Sequence, residues 1–558
     1  MTDPAGRLQH GRPRLRRWTV ALMRPSGARQ DSSVSKRLRR STLVAVGVVA
    51  LVAGLFRIDV PAPWADEAAT VLAVQRSWSG LWALAGGQDA PLLFFYSVAK
   101  VWADLLGWLP TLVAVRTLSA VAGAATAMVV FSLVARRLGV LPAVLAAGLL
   151  ISLPGFTRWC QDARPYALLM LLASAAWLAW DTWPRPNAPT DAGRSLIARW
   201  GHWLRGGWGL AALLGLSATT SLFAGFAWPA MLAADLVTPR ATRAERWHRL
   251  RQDTFLMAVT LVVFSVPIWT GITMGRGPNT GSEVSPGLIV DRLVQLVVVL
   301  PRPLLAAPIA VLAAVGVAVA FARRGVLSTR LIATARMAVV WASVPLALSL
   351  ALGVARPSLF RARYLVPVLA PSTVLAVIGA LALGRVIQLL VVRALRRTSR
   401  SDAVAVLGTS VAVLIVLGQV VVMLPAQRAV RAADGHDVNV AAMTSYVDHL
   451  LAEAPDEPVI TEADVVHAYL NCVRPDLAAR EIAFVISPGS SWVWPQAVPA
   501  ADLHARLIRE PRAIWVTPVN WVGTQTPARL PDAWADSGLR IDSAERHGSF
   551  WVMQLGRA

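Results

Sequence analysis

Three stretches of this chain, Leu43–Phe56, Trp341–Val354 and Val404–Leu424, are uncharged and almost wholly apolar. Such runs constrain the fold more than any other feature. Buried in lipid, a segment must satisfy its own backbone N–H and C=O groups, so about 20 apolar residues become one spanning helix. An ordinary soluble domain carries similar apolar residues but does not string them together. With 56% hydrophobic residues and a mean hydropathy of +0.54, the chain is expected to be a polytopic α-helical membrane protein.

The formal net charge of +22 does not point to nucleic acid. The arginines gather in short clusters between apolar runs, as cytoplasmic loops do under the positive-inside bias. Twelve apolar runs are visible, near 43–57, 91–109, 113–135, 139–157, 165–183, 207–219, 222–237, 254–273, 301–321, 334–354, 364–384 and 404–424. Segment 91–109 contains Lys100 and Asp104 and is closed by Gly107 and Pro110, so it is read as a membrane-surface helix. With it left out, every basic cluster falls on one side: Arg136-Arg137, Arg185–Arg205, Arg240–Arg251, Arg323–Arg330 and Arg385–Arg400. This parity gives about eleven spans, with a cytoplasmic N-terminus and an extracytoplasmic C-terminus in a multi-pass plasma-membrane protein. The short runs 207–219 and 222–237 count as two; were they one helix, everything downstream would invert.

Three regions follow. Residues 1–41, rich in Arg, Ser, Gly and Pro, read as a disordered basic cytoplasmic tail. Residues 42–425 form the membrane portion, with a first external loop at 58–112. From 426 to 558 polarity rises, and short apolar strands alternate with short helices. Val440, Met443, Val447, Leu450 and Leu451 line one face of a helix; "PVIT", "RAIWVTP" and "SFWVMQL" read as strands. The expectation is a small extracytoplasmic α/β domain. Cys160 and Cys472 permit one disulfide at most, and two free thiols are expected.

The chemistry lies in the outer loops. The stretch APWADEAAT places Asp66 and Glu67 side by side just past the first span. Asp89, in GGQDAPLLFFY, is followed closely by a backbone-fixing Pro91. The tight second loop, FTRWCQDARPYALL, holds Arg158, Gln161, Asp162, Arg164 and Tyr166. A later loop, ARPSLFRARYLVPVLAP, holds Arg356, Arg361, Arg363 and Tyr364 on the side that disfavours arginine, and anion binding is the simplest reason for them there. Carboxylates beside arginines at a membrane surface suit a reaction on a lipid-linked phosphate. A carboxylate takes a proton from an attacking hydroxyl, and arginines hold the leaving phosphate.

The motifs WADE (Trp64–Glu67), DAPLLFFY (Asp89–Tyr96), RTLSAVAG (Arg116–Gly123), QDARPYAL (Gln161–Leu168) and RARYLVPVLAP (Arg361–Pro371) occur in an order that resembles the GT-C fold glycosyltransferases. More narrowly, the chain is similar to the protein O-mannosyltransferase and aminoarabinose lipid A transferase family. The resemblance covers the membrane portion to about residue 424. It implies an enzyme that takes a sugar, mannose foremost, from a polyprenyl-phosphate donor on the outer face and inverts the anomeric centre. It implies Asp66 as general base, with Glu67 supporting it or binding the acceptor. Asp162 and Arg164 would be the second-loop acidic–arginine pair, and Arg363-Tyr364 the late motif near the donor phosphate. Asp89, Gln161, Tyr166 and Arg361 complete the expected substrate-binding set.

Relatives often carry His-Pro-Pro where this chain has Asp89-Ala90-Pro91, and Gln-Glu-x-Arg where it has Gln161-Asp162-Ala163-Arg164. Asp66, Glu67, Asp89 and Asp162 could supply oxygen ligands to a divalent cation, but their spacing matches no dedicated metal loop, so a metal is left open. Expected partners are membrane lipids, the lipid-linked sugar, and an acceptor that is protein, lipid or glycan. The rival class is a transporter or flippase of a lipid-linked or anionic substrate. It predicts ionisable residues deep within spans and helices broken at midplane.

Overall fold

A computed structural model describes residues 33–182, 209–237, 243–265, 269, 283–299, 302–322, 327–394, 402–436, 438–487, 489–519, 527 and 529–558. Each of the twelve apolar runs coincides with a helix in whole or in part. The helices bearing on the site are α1 (Ser33–Leu55), α2 (Ala65–Gln75), α3 (Trp78–Ala83), α4 (Leu93–Leu105), α5 (Thr111–Leu138), α6 (Val140–Ser152), α7 (Pro154–Cys160) and α8 (Tyr166–Thr182). Among the described residues six helices are long and apolar enough to cross a membrane, and α6 with α7, bent by 70°, makes a seventh. Three more expected spans fall on the shorter apolar helices Tyr166–Thr182, Gly209–Thr220 and Phe223–Val237. The last two are separate helices. The run 254–273 lies partly outside the described residues, as do most of the 1–41 tail and the basic loop 185–205.

One boundary differs from expectation. The first helix begins at Ser33, so residues 33–41 of the expected basic tail are helical. Lys and Arg are good helix formers, and their long side chains carry the charge away from the apolar turn that follows. Segment 91–109 supplies only the thirteen-residue α4, too short to cross.

The helices approach closely where side chains vanish. A Cβ added to Gly379 would overlap the Leu312 carbonyl oxygen, and one on Gly316 would overlap that of Leu375. Helix Pro303–Phe321 thus lies directly on helix Leu369–Ala394, as small residues allow in membranes, where no hydrophobic force drives helices together. Trp177 of α8 stacks on Trp341 of helix Thr329–Ala355, with centroids 5.3 Å apart. At one end of the bundle Arg136 and Arg137 close α5 onto Asp181 at the end of α8.

The other end is capped. The chain after residue 439 forms a sheet in the order β1 (Val459–Thr461), β4 (Arg512–Pro518), β6 (Phe550–Arg557), β5 (Leu539–His547). β1 runs parallel to β4; the other pairings are antiparallel. β2 (Phe484–Val485) and β3 (Gln496–Ala497) form a separate ribbon. Side chains alternate along β4. Ile514 and Val516 join a core with Val440, Met443, Val466 and Leu470, while Ala513 and Trp515 join Leu503, Leu507, Trp551 and Met553 on the opposite face. The first of these cores continues into Leu72 of α2, Phe95 and Tyr96 of α4, and Val115 of α5. The sheet and the first loop are therefore buried against each other.

Gly379→Leu should wedge the two helices apart and lower stability by about 1–3 kcal/mol, the usual cost of overpacking. The measurement is the melting temperature of the detergent-purified protein. A melting temperature equal to that of the wild type would show that the helices are not in contact at this point.

Candidate active site

Pro154 follows the extended Leu153 and bends the chain between α6 and α7. The bend delivers Gln161–Arg164 to the capped end of the bundle. There they meet the start of α2, the second and third turns of α5, the short 3-10 helix Ala362–Val368, and the chain just past helix Asp402–Val430.

The centre of this junction is Glu67. Its Oε1 accepts from Arg116 Nε at 2.8 Å and from the backbone N–H of Ala163 at 2.7 Å. Its Oε2 accepts from Arg116 Nη2 at 2.8 Å and the backbone N–H of Trp64 at 3.4 Å, and faces His436 Nδ1 at 3.2 Å. The fork of Arg116 also donates through Nη1 to the carbonyls of Ile58 (2.9 Å) and Pro61 (2.8 Å). Glu67, Arg116 and His436 side chains are all fully buried. Burial alone would raise the Glu67 carboxyl; the bidentate Arg116 and the bond to His436 outweigh it and hold it well below its ordinary value. Burial, reinforced by Arg158, pushes His436 down to about 3, so the imidazole is neutral. Glu67 therefore ties these segments together with both carboxylate oxygens engaged.

Asp162 is likewise sealed. Its Oδ1 accepts from the Trp64 indole N–H at 2.8 Å and its Oδ2 lies 3.5 Å from Arg158 Nη1. Burial pushes its carboxyl up to about 7 against the pull of Arg158, with Glu67 adding to the rise. Gln161 is structural in its contacts, its Nε2 donating to the carbonyls of Gly54 (3.0 Å) and Phe56 (2.8 Å) at the end of α1. Tyr166 is buried edge-on against Trp159 at 4.9 Å.

Asp66 is different. Its side chain is 25% exposed, and its Oδ2 accepts from Arg363 Nη1 at 2.8 Å, with Arg164 Nη2 behind at 3.8 Å. The Arg363 side chain is 29% exposed and that of Arg164 only 9%. The guanidinium groups of Arg158 and Arg363 both lie over the Trp64 ring, at 5.4 and 5.5 Å. Arg363 also lies over Tyr364, which itself stacks on Phe223 at 4.4 Å. Arg361 donates through its Nε to the Ser358 carbonyl at 3.4 Å. Asp89 accepts from the Tyr96 hydroxyl at 3.1 Å. Among the described residues no three His, Cys, Asp or Glu side chains converge as a metal-ligand group. The four carboxylates named from the sequence form no common cation cradle.

Sequence reasoning assigned no role to Arg116, His436, Tyr96 or Trp64. For Arg116 a signal existed: an arginine inside an apolar span is a functional candidate by default. His436 gave none, being 369 positions from its partner.

No protein-family model and no curated protein matches the chain. Solved structures do. ArnT from Cupriavidus metallidurans, bound to undecaprenyl phosphate, is similar at 17% identity and a TM-score of 0.51, over 92% of this chain and 98% of that one. The Archaeoglobus fulgidus oligosaccharyltransferase AglB, in complex with an inhibitory peptide and a dolichol-phosphate, is similar at 12% identity and a TM-score of 0.51, over 88% of this chain and 70% of that one. The chain has the GT-C fold. That fold makes it a multi-pass membrane protein.

Two outcomes test this electrostatic centre. Arg116→Leu leaves Glu67 charged, buried and unpaired, which should cost about 3–5 kcal/mol. Adding Glu67→Gln should recover part of the lost melting temperature; a double variant no better than Arg116→Leu would show that the ion pair is not what Arg116 supplies. The second concerns pH. Native Asp162 keeps its proton up to about 7, whereas an unfolded Asp releases it near its ordinary value of about 4. The native state therefore binds more protons across that window, and stability falls as pH rises through it. Asp162→Asn should remove this contribution, so the wild-type melting temperature minus that of the variant should drop between pH 5 and pH 8. A constant difference would place the ionisation elsewhere.

Proposed function

We propose that the protein is a membrane glycosyltransferase that moves a sugar from a polyprenyl-phosphate donor to an acceptor hydroxyl at the outer face of the membrane. One observation carries the reading. Of Asp66, Glu67 and Asp162, only Asp66 reaches solvent, and it does so against an equally accessible arginine, Arg363; the other two side chains are fully buried. The similarity to proteins solved with undecaprenyl phosphate and dolichol-phosphate supports the donor class.

The geometry supports the following chemistry. The donor's phosphate oxygen takes Arg363 from Asp66, which frees the carboxylate. The acceptor O–H gives its proton to Asp66 as its oxygen bonds to the anomeric carbon. The bond from that carbon to the phosphate oxygen breaks on the opposite face, and the polyprenyl phosphate leaves with the electron pair. Arg363, held over the rings of Trp64 and Tyr364, takes up the charge that develops. Attack opposite the leaving group inverts the anomeric centre. Mannose is the sugar the motif resemblance favours, with arabinose next; the acceptor is a protein, lipid or glycan hydroxyl.

The test is transfer of radiolabelled sugar from a panel of polyprenyl-phosphate monosaccharides to a membrane extract. Wild type should transfer one of them, and a well-folded Asp66→Asn should be slower by about 10²- to 10⁴-fold. Equal transfer by both would remove Asp66 as the base. Movement of labelled lipid across a reconstituted bilayer by both, without transfer, would replace the enzyme with a transporter.

A further inference from the structure

Behind Asp66 a chain of polar groups runs into the protein. Arg164 Nη1 donates to the backbone carbonyl of Asp66 (3.2 Å), to Thr70 Oγ1 (3.2 Å) and to the Tyr96 hydroxyl (3.3 Å). The Tyr96 hydroxyl in turn donates to Asp89 Oδ1 at 3.1 Å. Tyr96 is fully buried, so its phenol has no water to turn to.

A phenol has one proton and a pair of acceptor sites. Facing a guanidinium, it helps only if its lone pair points at the cation and its proton points elsewhere. Asp89 supplies that elsewhere. A carboxylate accepting the phenol proton fixes the hydroxyl's orientation and makes its oxygen the better acceptor for Arg164. Arg164 then holds three points on α2 and α4 and stands 3.8 Å from the Asp66 carboxylate, further off than Arg363 at 2.8 Å. It backs the base without clamping it. The division of labour between the two arginines follows from their exposure: Arg363 is the one a substrate can reach, and Arg164 stands behind.

We infer that Asp89 and Tyr96 are positioning residues: half-buried Asp89, buried Tyr96 and buried Arg164 form a chain that sets where Asp66 stands, rather than a surface that touches the donor. The inference rests on the proposed transferase reading and changes its assignment of Asp89. It separates two roles for the acidic loop residues: Asp66 meets the substrate, and Asp89 acts through a phenol and a guanidinium.

The experiment is steady-state transfer by the full-length protein in detergent, with the monosaccharide donor identified for the wild type, for Tyr96→Phe, Asp89→Asn and the double variant. Melting temperatures and elution profiles confirm that each is folded. Misplacing the base lowers turnover and spares binding. Each single variant should lose about 10- to 100-fold in kcat, as a displacement of about an ångström does, with the donor KM within about twofold of wild type. The double variant should lose no more than the worse single one, because both break the same chain. A raised donor KM with unchanged kcat in Asp89→Asn would mean that Asp89 contacts the donor and would overturn the inference. Wild-type kcat in Tyr96→Phe, or losses that multiply in the double variant, would overturn it too. Asp89→Glu supplies the control if Asp89→Asn fails to fold: turnover should be partly retained, and a loss as large as that of Tyr96→Phe with raised KM counts against the chain. Failure of the wild type to transfer with any donor is a separate result, and it strikes the functional reading itself.

Discussion

The buried pairing of Glu67 with Arg116 is the constraint on which the site depends. One guanidinium grips the carboxylate and two carbonyls of the connection after α1, and the same carboxylate takes the backbone N–H of Ala163 and faces His436. Four separate parts of the chain are fixed by two side chains. A buried ion pair contributes little net stability, because desolvation offsets most of its attraction. What this one supplies is placement. Neither residue tolerates loss of the other, so the segments they gather come as a set. Asp66, the residue just before Glu67, is placed because Glu67 cannot move.

That arrangement also explains why two adjacent acids behave so differently. On a helix successive side chains diverge by roughly 100°, so when Glu67 faces inward Asp66 must face across the mouth. The same carboxylate chemistry then meets two environments. Inside, a bidentate guanidinium and two backbone donors exhaust its lone pairs. Outside, one exchangeable arginine leaves an oxygen to be claimed by whatever enters.

Much of this was legible in the sequence, and the reason is the period and length of the apolar runs. Charge clusters between them set the segments apart, and the segment with Lys100 and Asp104 forms only the thirteen-residue α4, ended before Pro110. The loops that hold Asp66, Asp162, Arg164 and Arg363 were legible because each concentrates polar groups beside apolar helices. Their partners were not. The pairing of residue 67 with residues 116 and 436 is a fact of the fold, joining positions far apart in sequence. Strand Leu539–His547 also went unread. It borders only β6 in the sheet and carries Arg540, Asp542, Glu545 and Arg546, and an edge strand so decorated shows little of the alternation that marks a half-buried one.

The core shared by the sheet and the first loop has a consequence for how the protein comes into being. His436 and the helix starting at Val440 are added to a growing chain only after all of its long apolar segments, yet the pocket around Glu67 and the apolar face of α2 stay open to water until they arrive. The membrane bundle is thus incomplete when its last helix has been inserted. Only when the residues from His436 onward have folded onto it is the burial of Glu67 and of the apolar face of α2 complete.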